Sequence, residues 1–349
     1  MRGKASIVLL TLASTICVVS SVAQCQTQVD ADDANIQYIG RFKFANPKEA
    51  AFDWPGVYIN AVFEGTSLGI RLDAQQCSFN VFIDDKLTIL DPTGSQTYPV
   101  AQGLTKGTHR VLVVSRNGGG KFMGLVLDKG KKLRRPPARP KRRIEFIGDS
   151  FSAGSSNEAV SATQPANMFE RTNAYTAFGP VTARHFKADY SLIAMPGIGL
   201  IGGSFPFHMP DIYQRTLAGG SENDWDFSKW QPDVVVCYLG LNDGLGSQER
   251  LKLYEDGCVA FLTTIRSKYP KAEIICIWNG SPLVLNGVSN AVKRLGDAKM
   301  HAANLNADLS KGGTGPMDTF HPNNMGHQRM AEKLIELING VTHWDGAGK

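Results

Sequence analysis

The chain has 349 residues, more than one hydrophobic core usually organises, so two domains are expected. Hydrophobic residues make up 42% and charged residues 20%, which excludes a chain dominated by disorder. The net charge is +5, yet Lys131–Arg143 alone carries eight positive charges, so the excess is local and excludes a generally polycationic surface.

Arg2 and Lys4 precede an apolar run from Ile7 to Val19, and Ser21-Val22-Ala23 offers small residues for cleavage. This pattern predicts a secretory signal peptide over residues 1–23, with a mature chain that begins near Gln24 and is extracellular. A membrane span needs about 20 apolar residues, and no later segment reaches that length. Cys17 falls in the leader, which leaves Cys25, Cys77, Cys237, Cys258 and Cys276. Cys237 and Cys276 lie in apolar strand-like runs and read as small buried hydrophobes. Cys25 with Cys77 is the first disulfide to test, since spacing alone does not fix connectivity.

From residue 32 to 133 the hydrophobic pattern has a period of two. "NIQYIGRFKF", "GVYINAVFEG", "SLGIRLDA", "SFNVFIDD", "THRVLVVSRN" and "FMGLVLD" alternate apolar and polar positions between Gly, Asp and Asn turn signals. Short strands without intervening helices predict an all-β sandwich. Residues 134–143 are basic and Pro-rich. They read as an inter-domain linker rather than a polyanion or wall-polysaccharide contact, because no aromatic residue is interleaved as a stacking platform.

The pattern changes over residues 144–340. The apolar strands "RIEFIGDS", "DYSLIAMPG", "PDVVVCYLG" and "AEIICIWNG" are separated by helical segments such as "LKLYEDGCVAFLTTIRSKY" and "NNMGHQRMAEKLIELI". That alternation predicts an α/β domain with a parallel sheet covered on both faces. Ligands of such sheets bind beyond the carboxyl ends of the strands, which draws attention to Ser150, Gly197, Asn242 and Asn279.

Ser150 ends the first strand, where it is either a nucleophile or the N-cap of a following helix. The local run Gly148-Asp149-Ser150-Phe151-Ser152 lacks the second glycine of a G-x-S-x-G elbow. A serine attacks only if a base takes its proton and the base is itself oriented. "DTFHP" offers Asp318 and His321 for those roles, three residues apart. His327 falls within a helical pattern and reads as structural. Acyl transfer also needs oxyanion donors. The Asn242 amide can donate, and Gly197, lacking Cβ, lets a backbone N–H approach closely. Asp149 and Asp243 are expected to hold loops by hydrogen bonds rather than react. No Cys or His spacing suggests a metal site, and no cofactor is expected.

Taken in order, GDS, a glycine after the second strand, G-x-N-D after the third and D-x-x-H-P before the last helix resemble the GDSL/SGNH hydrolase superfamily. The resemblance implies a flavodoxin-like α/β domain with Ser150 as nucleophile, His321 as base and Asp318 as acid. It also implies an oxyanion hole from Ser150 N–H, Gly197 N–H and Asn242. A jelly-roll sandwich followed by "FMGLVLDKGKKLRRPPARPKRRIEFIGDS" and "SSNEA" is similar to carbohydrate esterase family 2, whose members remove acetyl groups from xylan and glucomannan. Phe151, Ser152, Ala153 and Ser155 replace that family's more usual "IT.GYG" residues, and "PGIG" replaces "SGxG", which bears on substrate preference. The implied partner is an acetylated polysaccharide or oligosaccharide acted on by a monomer, with no nucleic acid and no membrane. Trp278, after the fourth strand, is placed to stack on a sugar ring or to pack a loop. Trp225 and Trp230 read as packing residues. The alternatives are a lipid or small-ester hydrolase on the same fold and a non-catalytic polysaccharide-binding protein.

Overall fold

The computed structural model describes residues 26–159, 171–315 and 320–344. The expected signal peptide, Cys25 and Asp318 lie outside the described residues.

The first half is a sandwich of two antiparallel sheets. One runs β3 (Lys43–Asn46), β4 (Glu49–Phe52), β11 (Gly120–Leu127), β6 (Leu68–Ala74), β9 (Gly94–Ala101), with β1 (Thr27–Asp30) on β11. The other runs β12 (Leu133–Arg134), β5 (Tyr58–Gly65), β10 (Gly107–Ser115), β7 (Phe79–Ile83), β8 (Lys86–Leu90), with β2 (Gln37–Ile39) on β5. Alternation puts Ile59, Ala61 and Phe63 of β5, and Phe79 and Val81 of β7, in the buried core. "NIQYIGRFKF" forms two strands rather than one. Gly40 adopts φ +99°, and a Cβ there would lie 2.7 Å from Val57 Cγ1, so the chain turns at this point and the run divides between the two sheets.

The second half is a five-stranded parallel sheet, β14 (Asp189–Ala194), β13 (Arg143–Gly148), β15 (Val234–Tyr238), β16 (Glu273–Trp278), β17 (Met300–Asn304). This is the flavodoxin-like order 2-1-3-4-5, whose switch point falls between the first and third strands. The helices are α1 (Phe178–His185), the short α2 (Met209–Ile212), α3 (Gln248–Lys268), α4 (Pro282–Leu295) and α5 (Asn324–Thr342). α1 packs with α5 and α3 with α4, and Ile144–Gly148 are all buried, so β13 is covered on both faces. Cys237 and Cys276 face each other in register across β15 and β16 as buried thiols, and Cys77 is a buried free thiol in the sandwich core.

The halves are joined by buried polar contacts. Arg41 reaches from the sandwich into the α/β domain, where its guanidinium donates to the carbonyls of Tyr213 and Arg215 and lies 3.6 Å from Glu145 of β13. Glu145 also accepts from Tyr213 Oη at 2.8 Å and Tyr269 Oη at 3.0 Å. Nearby, Trp54 Nε1 donates to Thr216 O at 3.1 Å, and Asp53 accepts from the N–H groups of Ala218 and Gly219. The basic segment is also tied down. Arg139 donates to Asp189 at 2.7 Å, and Arg142 donates to the carbonyls of Phe186 and Trp344.

Candidate active site

β13 ends at Gly148 because the chain must turn sharply there. A Cβ at this position would collide with Ser152 Oγ. Residues 150–158 then form consecutive turns rather than a helix, so Ser150 does not cap one. Ser155 N–H donates to Ser150 O at 2.9 Å, and Ser150 itself is 6% exposed.

The turn segment is fastened to both halves. Asn157 Nδ2 donates to Asn173 O and Thr176 Oγ1. Glu158 accepts from Asn173 Nδ2 and pairs with Arg116 of the sandwich. Arg116 and Asn173 both bond the Asn80 side chain of β7. Sequence reasoning did not find this network, although "SSNEA" marked its position. Asn80 and Arg116 approach the turn only through the tertiary fold.

His321 sits in the loop before α5. Its carbonyl accepts from Gly315 N–H at 2.9 Å, and Asn323, the N-cap of α5, accepts from Gly326 N–H and donates to the carbonyls of Gly312 and Thr314. Held this way, His321 Nε2 lies 2.9 Å from Ser150 Oγ, although the residues are 171 positions apart in the chain. His327 is buried and accepts from Phe178 N–H through Nδ1 at 3.3 Å. Burial, then the charge of His321, depresses its pKa to about 3, so it is a neutral packing residue.

Gly197 follows β14 in the left-handed region, φ +82°, where a side chain would be strained. The backbone N–H groups of Ser150 and Gly197 make no hydrogen bond among the described residues. Asn242, after β15, donates one amide hydrogen to Ile198 O at 2.8 Å, which fixes the side chain and leaves its other N–H available. Ser150 and Asn242 thus stand on either side of the switch point of the sheet.

Asp149 and Asp243 brace these loops. Asp243 is buried and accepts from Leu200 and Ile201 N–H, securing the turn that carries Gly197. Asp149 accepts from Phe151 N–H at 3.0 Å, while its second oxygen is buried with no partner among the described residues. Burial, reinforced by the Asp243 charge, raises its pKa from 3.8 to about 7. A carboxyl whose folded pKa is raised favours the folded state below its unfolded pKa, and that contribution is lost as pH rises through about 7. Asp149→Asn should therefore gain stability relative to the wild type between pH 4 and pH 8, by on the order of 4 kcal/mol across the range. Thermal unfolding of both proteins against pH tests this, and a constant difference would refute it.

A cavity of about 550 Å3 opens beside the Ser150–His321 pair, lined by Phe151, Tyr238, Trp278, Leu309, Thr314 and Phe320 among others. Tyr238 is stacked between Phe151 and Trp278, with centroid distances of 5.6 and 5.0 Å. Trp278 is 3% exposed, so its ring forms part of the cavity's packed wall. Phe320, which sequence reasoning passed over, is 46% exposed and meets both Phe151 and His321 edge-on at 5.2 Å. Its only sequence signal is adjacency to His321. Asn279 is engaged at both ends of its amide by the Ala307 backbone. Trp230 is buried, and Trp225 packs on the Arg41 guanidinium.

Residues 38–137 match the family model for the N-terminal domain of carbohydrate esterase 2, and residues 146–329 match that of the GDSL-like lipase/acylhydrolase family. An acetylxylan esterase/glucomannan deacetylase of Cellvibrio japonicus is 34% identical over 249 residues, 66% of this chain and 68% of the relative. The cellulase/esterase CelE of Acetivibrio thermocellus is 31% identical over 336 residues, 90% of this chain, which spans 40% of that relative's length. A family two carbohydrate esterase from Clostridium thermocellum, solved with cellohexaose, superposes with a TM-score of 0.79 at 30% identity, covering 88% of this chain and 99% of that one. Through these matches and this geometry, the chain belongs to the GDSL-like lipase/acylhydrolase family, within carbohydrate esterase family 2.

Proposed function

We propose that the protein is a secreted serine esterase that removes acetyl groups from a plant-type polysaccharide such as xylan or glucomannan. The observation that carries the chemistry is the 2.9 Å contact of His321 Nε2 with Ser150 Oγ, beside the backbone N–H groups of Ser150 and Gly197, which have no partner among the described residues. His321 takes the serine proton as Oγ attacks the acetyl carbonyl. The oxyanion that forms accepts from Ser150 N–H, Gly197 N–H and the free Asn242 amide hydrogen. The tetrahedral intermediate collapses by breaking its bond to the sugar oxygen, which leaves with the proton from His321. Water, deprotonated by the same imidazole, then cleaves the acetyl-serine to acetate and free Ser150. Asp318 is assigned to orient His321. The carbohydrate class rests on the relatives, which are named for acetylxylan and glucomannan or solved with cellohexaose. Aromatic residues beside the Ser150–His321 pair fit that class, with the exposed Phe320 as the contact to test and the buried Trp278 as wall. Secretion rests on the leader pattern of residues 1–23.

Acetate release from acetylated xylan, glucomannan and chitin oligomers, with an aryl acetate as control, tests the reading. Release from xylan or glucomannan is expected. Turnover of the aryl ester alone would leave an esterase of another substrate class.

Asn242→Ala should lower kcat by about 10²- to 10³-fold with KM little changed, the loss typical of one oxyanion donor. A change confined to KM would assign Asn242 to ground-state binding instead.

A further inference from the structure

We propose that the seam between the sandwich and the α/β domain holds a second carbohydrate site, separate from Ser150, that takes a short unacetylated stretch of the polysaccharide. The proposal rests on the esterase reading above only for the class of ligand.

A cavity of about 450 Å3 opens at this seam, within the range of about 300–1,000 Å3 usual for small-molecule sites. Each domain supplies half of its aromatic wall. Phe82 of the sandwich meets Tyr175 at 5.1 Å between ring centroids, and Tyr58 meets Tyr190 at 5.1 Å. On the sandwich side Leu112, Phe82 and Leu87 lie opposite one another across β10, β7 and β8, so the wall continues as an apolar row. Leu87 is 47% exposed at its outer end.

Polar groups in the wall are left with bonding capacity. Arg110 donates through Nε to Asn60 Oδ1 at 3.1 Å, and its Nη groups have no partner among the described residues. Asp85, in a left-handed turn at φ +69°, has no partner there either. The Arg184 guanidinium lies over the Tyr175 ring, 3.8 Å from its centroid, and donates to Tyr175 O. The Tyr190 hydroxyl is buried and has no partner among the described residues, so the α/β side of the cavity is walled by its ring rather than by an exposed polar group.

This mixture identifies the ligand. A wholly apolar molecule would desolvate Arg110, Arg184 and Asp85 without repayment. An anion would meet the Asp85 carboxylate. A sugar presents apolar C–H faces to the rings and hydroxyls that both donate and accept. Tyr190 is paired in register with Ile144, six residues before Ser150, which places the seam about 20 Å from the nucleophile along the sheet. One polymer chain can therefore engage both sites, and the second contact raises the effective concentration of substrate at the first.

The test is calorimetric titration of Ser150→Ala with unacetylated cellohexaose and xylohexaose. Adding Phe82→Ala and Tyr175→Ala to that background should abolish one binding event. In the protein that retains Ser150, the same pair should leave aryl acetate turnover within about twofold while raising KM for acetylated polymer about tenfold or more. Arg110→Gln, a change at an exposed position, should weaken the same event if the double variant does not fold. Absence of any binding event sensitive to these substitutions would overturn the proposal. Failure of the wild type on every ester, with the seam-dependent event retained, would instead remove the esterase reading and leave this site standing.

Discussion

Ser150→Ala is expected to lose esterase turnover by on the order of 10⁵- to 10⁶-fold while unfolding at the same temperature as the wild type. The size of the loss follows from the route. Without Oγ there is no acyl-enzyme, and the oxyanion donors are left with water as the attacking group. The fold survives because, among the described residues, the Ser150 side chain bonds His321 alone, while the turn is held by its backbone and by the Asn157 and Glu158 contacts. His321→Ala should be equally damaging, since base and nucleophile act as one unit. Asp318→Ala should leave measurable activity, because a carboxylate orients and stabilises the imidazolium without taking its proton. Acetate release measured beside thermal unfolding checks the ranking. Wild-type turnover in folded Ser150→Ala would end the serine mechanism, and retained activity in His321→Ala would mean a different base.

Arg41→Ala should destabilise the protein by about 3–5 kcal/mol, the cost of leaving a buried charge without its partner. Glu145 is wholly buried, and desolvation already raises its pKa against the opposing pull of Arg41 and the two tyrosine hydroxyls. Removing the guanidinium raises it further. A carboxyl with a raised folded pKa loses its stabilising contribution as pH rises, so the defect should be larger at pH 8 than at pH 5. Glu145→Gln in the Arg41→Ala background should recover part of the loss by removing the orphaned charge. Urea unfolding of the four proteins at both pH values closes the cycle. An effect below about 1 kcal/mol at pH 8 would show that the carbonyls of Tyr213 and Arg215, rather than Glu145, dominate the environment of Arg41.

Much of the second domain was legible because its signals are local. The run Ile144–Gly148, apolar except for Glu145, is buried throughout, as a central parallel strand must be, and Ser150 falls where such a strand delivers side chains to the switch point. The assignments of Asp149 and Asp243 as loop braces and of His327 as structural also followed from position. The sandwich was legible wherever one face was buried. β8 was missed although Lys86-Leu87-Thr88-Ile89 alternates, because the run is only five residues long, and the structure leaves its first four residues, Leu87 and Ile89 included, exposed. β9 was missed because it carries few apolar residues and an interior Pro99, which its place on the sheet edge admits; half of its eight residues are exposed.

The sequence by itself determined the two fold classes, the order of the motifs and the residue types available for acyl transfer. These depend on periodicity and on where a strand ends, which neighbouring residues encode. The tertiary structure alone decided that His321 meets Ser150, that Arg116 and Asn80 of the sandwich hold the turn that carries Ser150, that Arg41 pairs with Glu145 inside the other domain and that four aromatic rings meet across the seam. Each of these contacts joins residues tens of positions or more apart, and no local pattern marks such partners. They are selected when two packed surfaces bury their polar groups together and each buried group must find its complement.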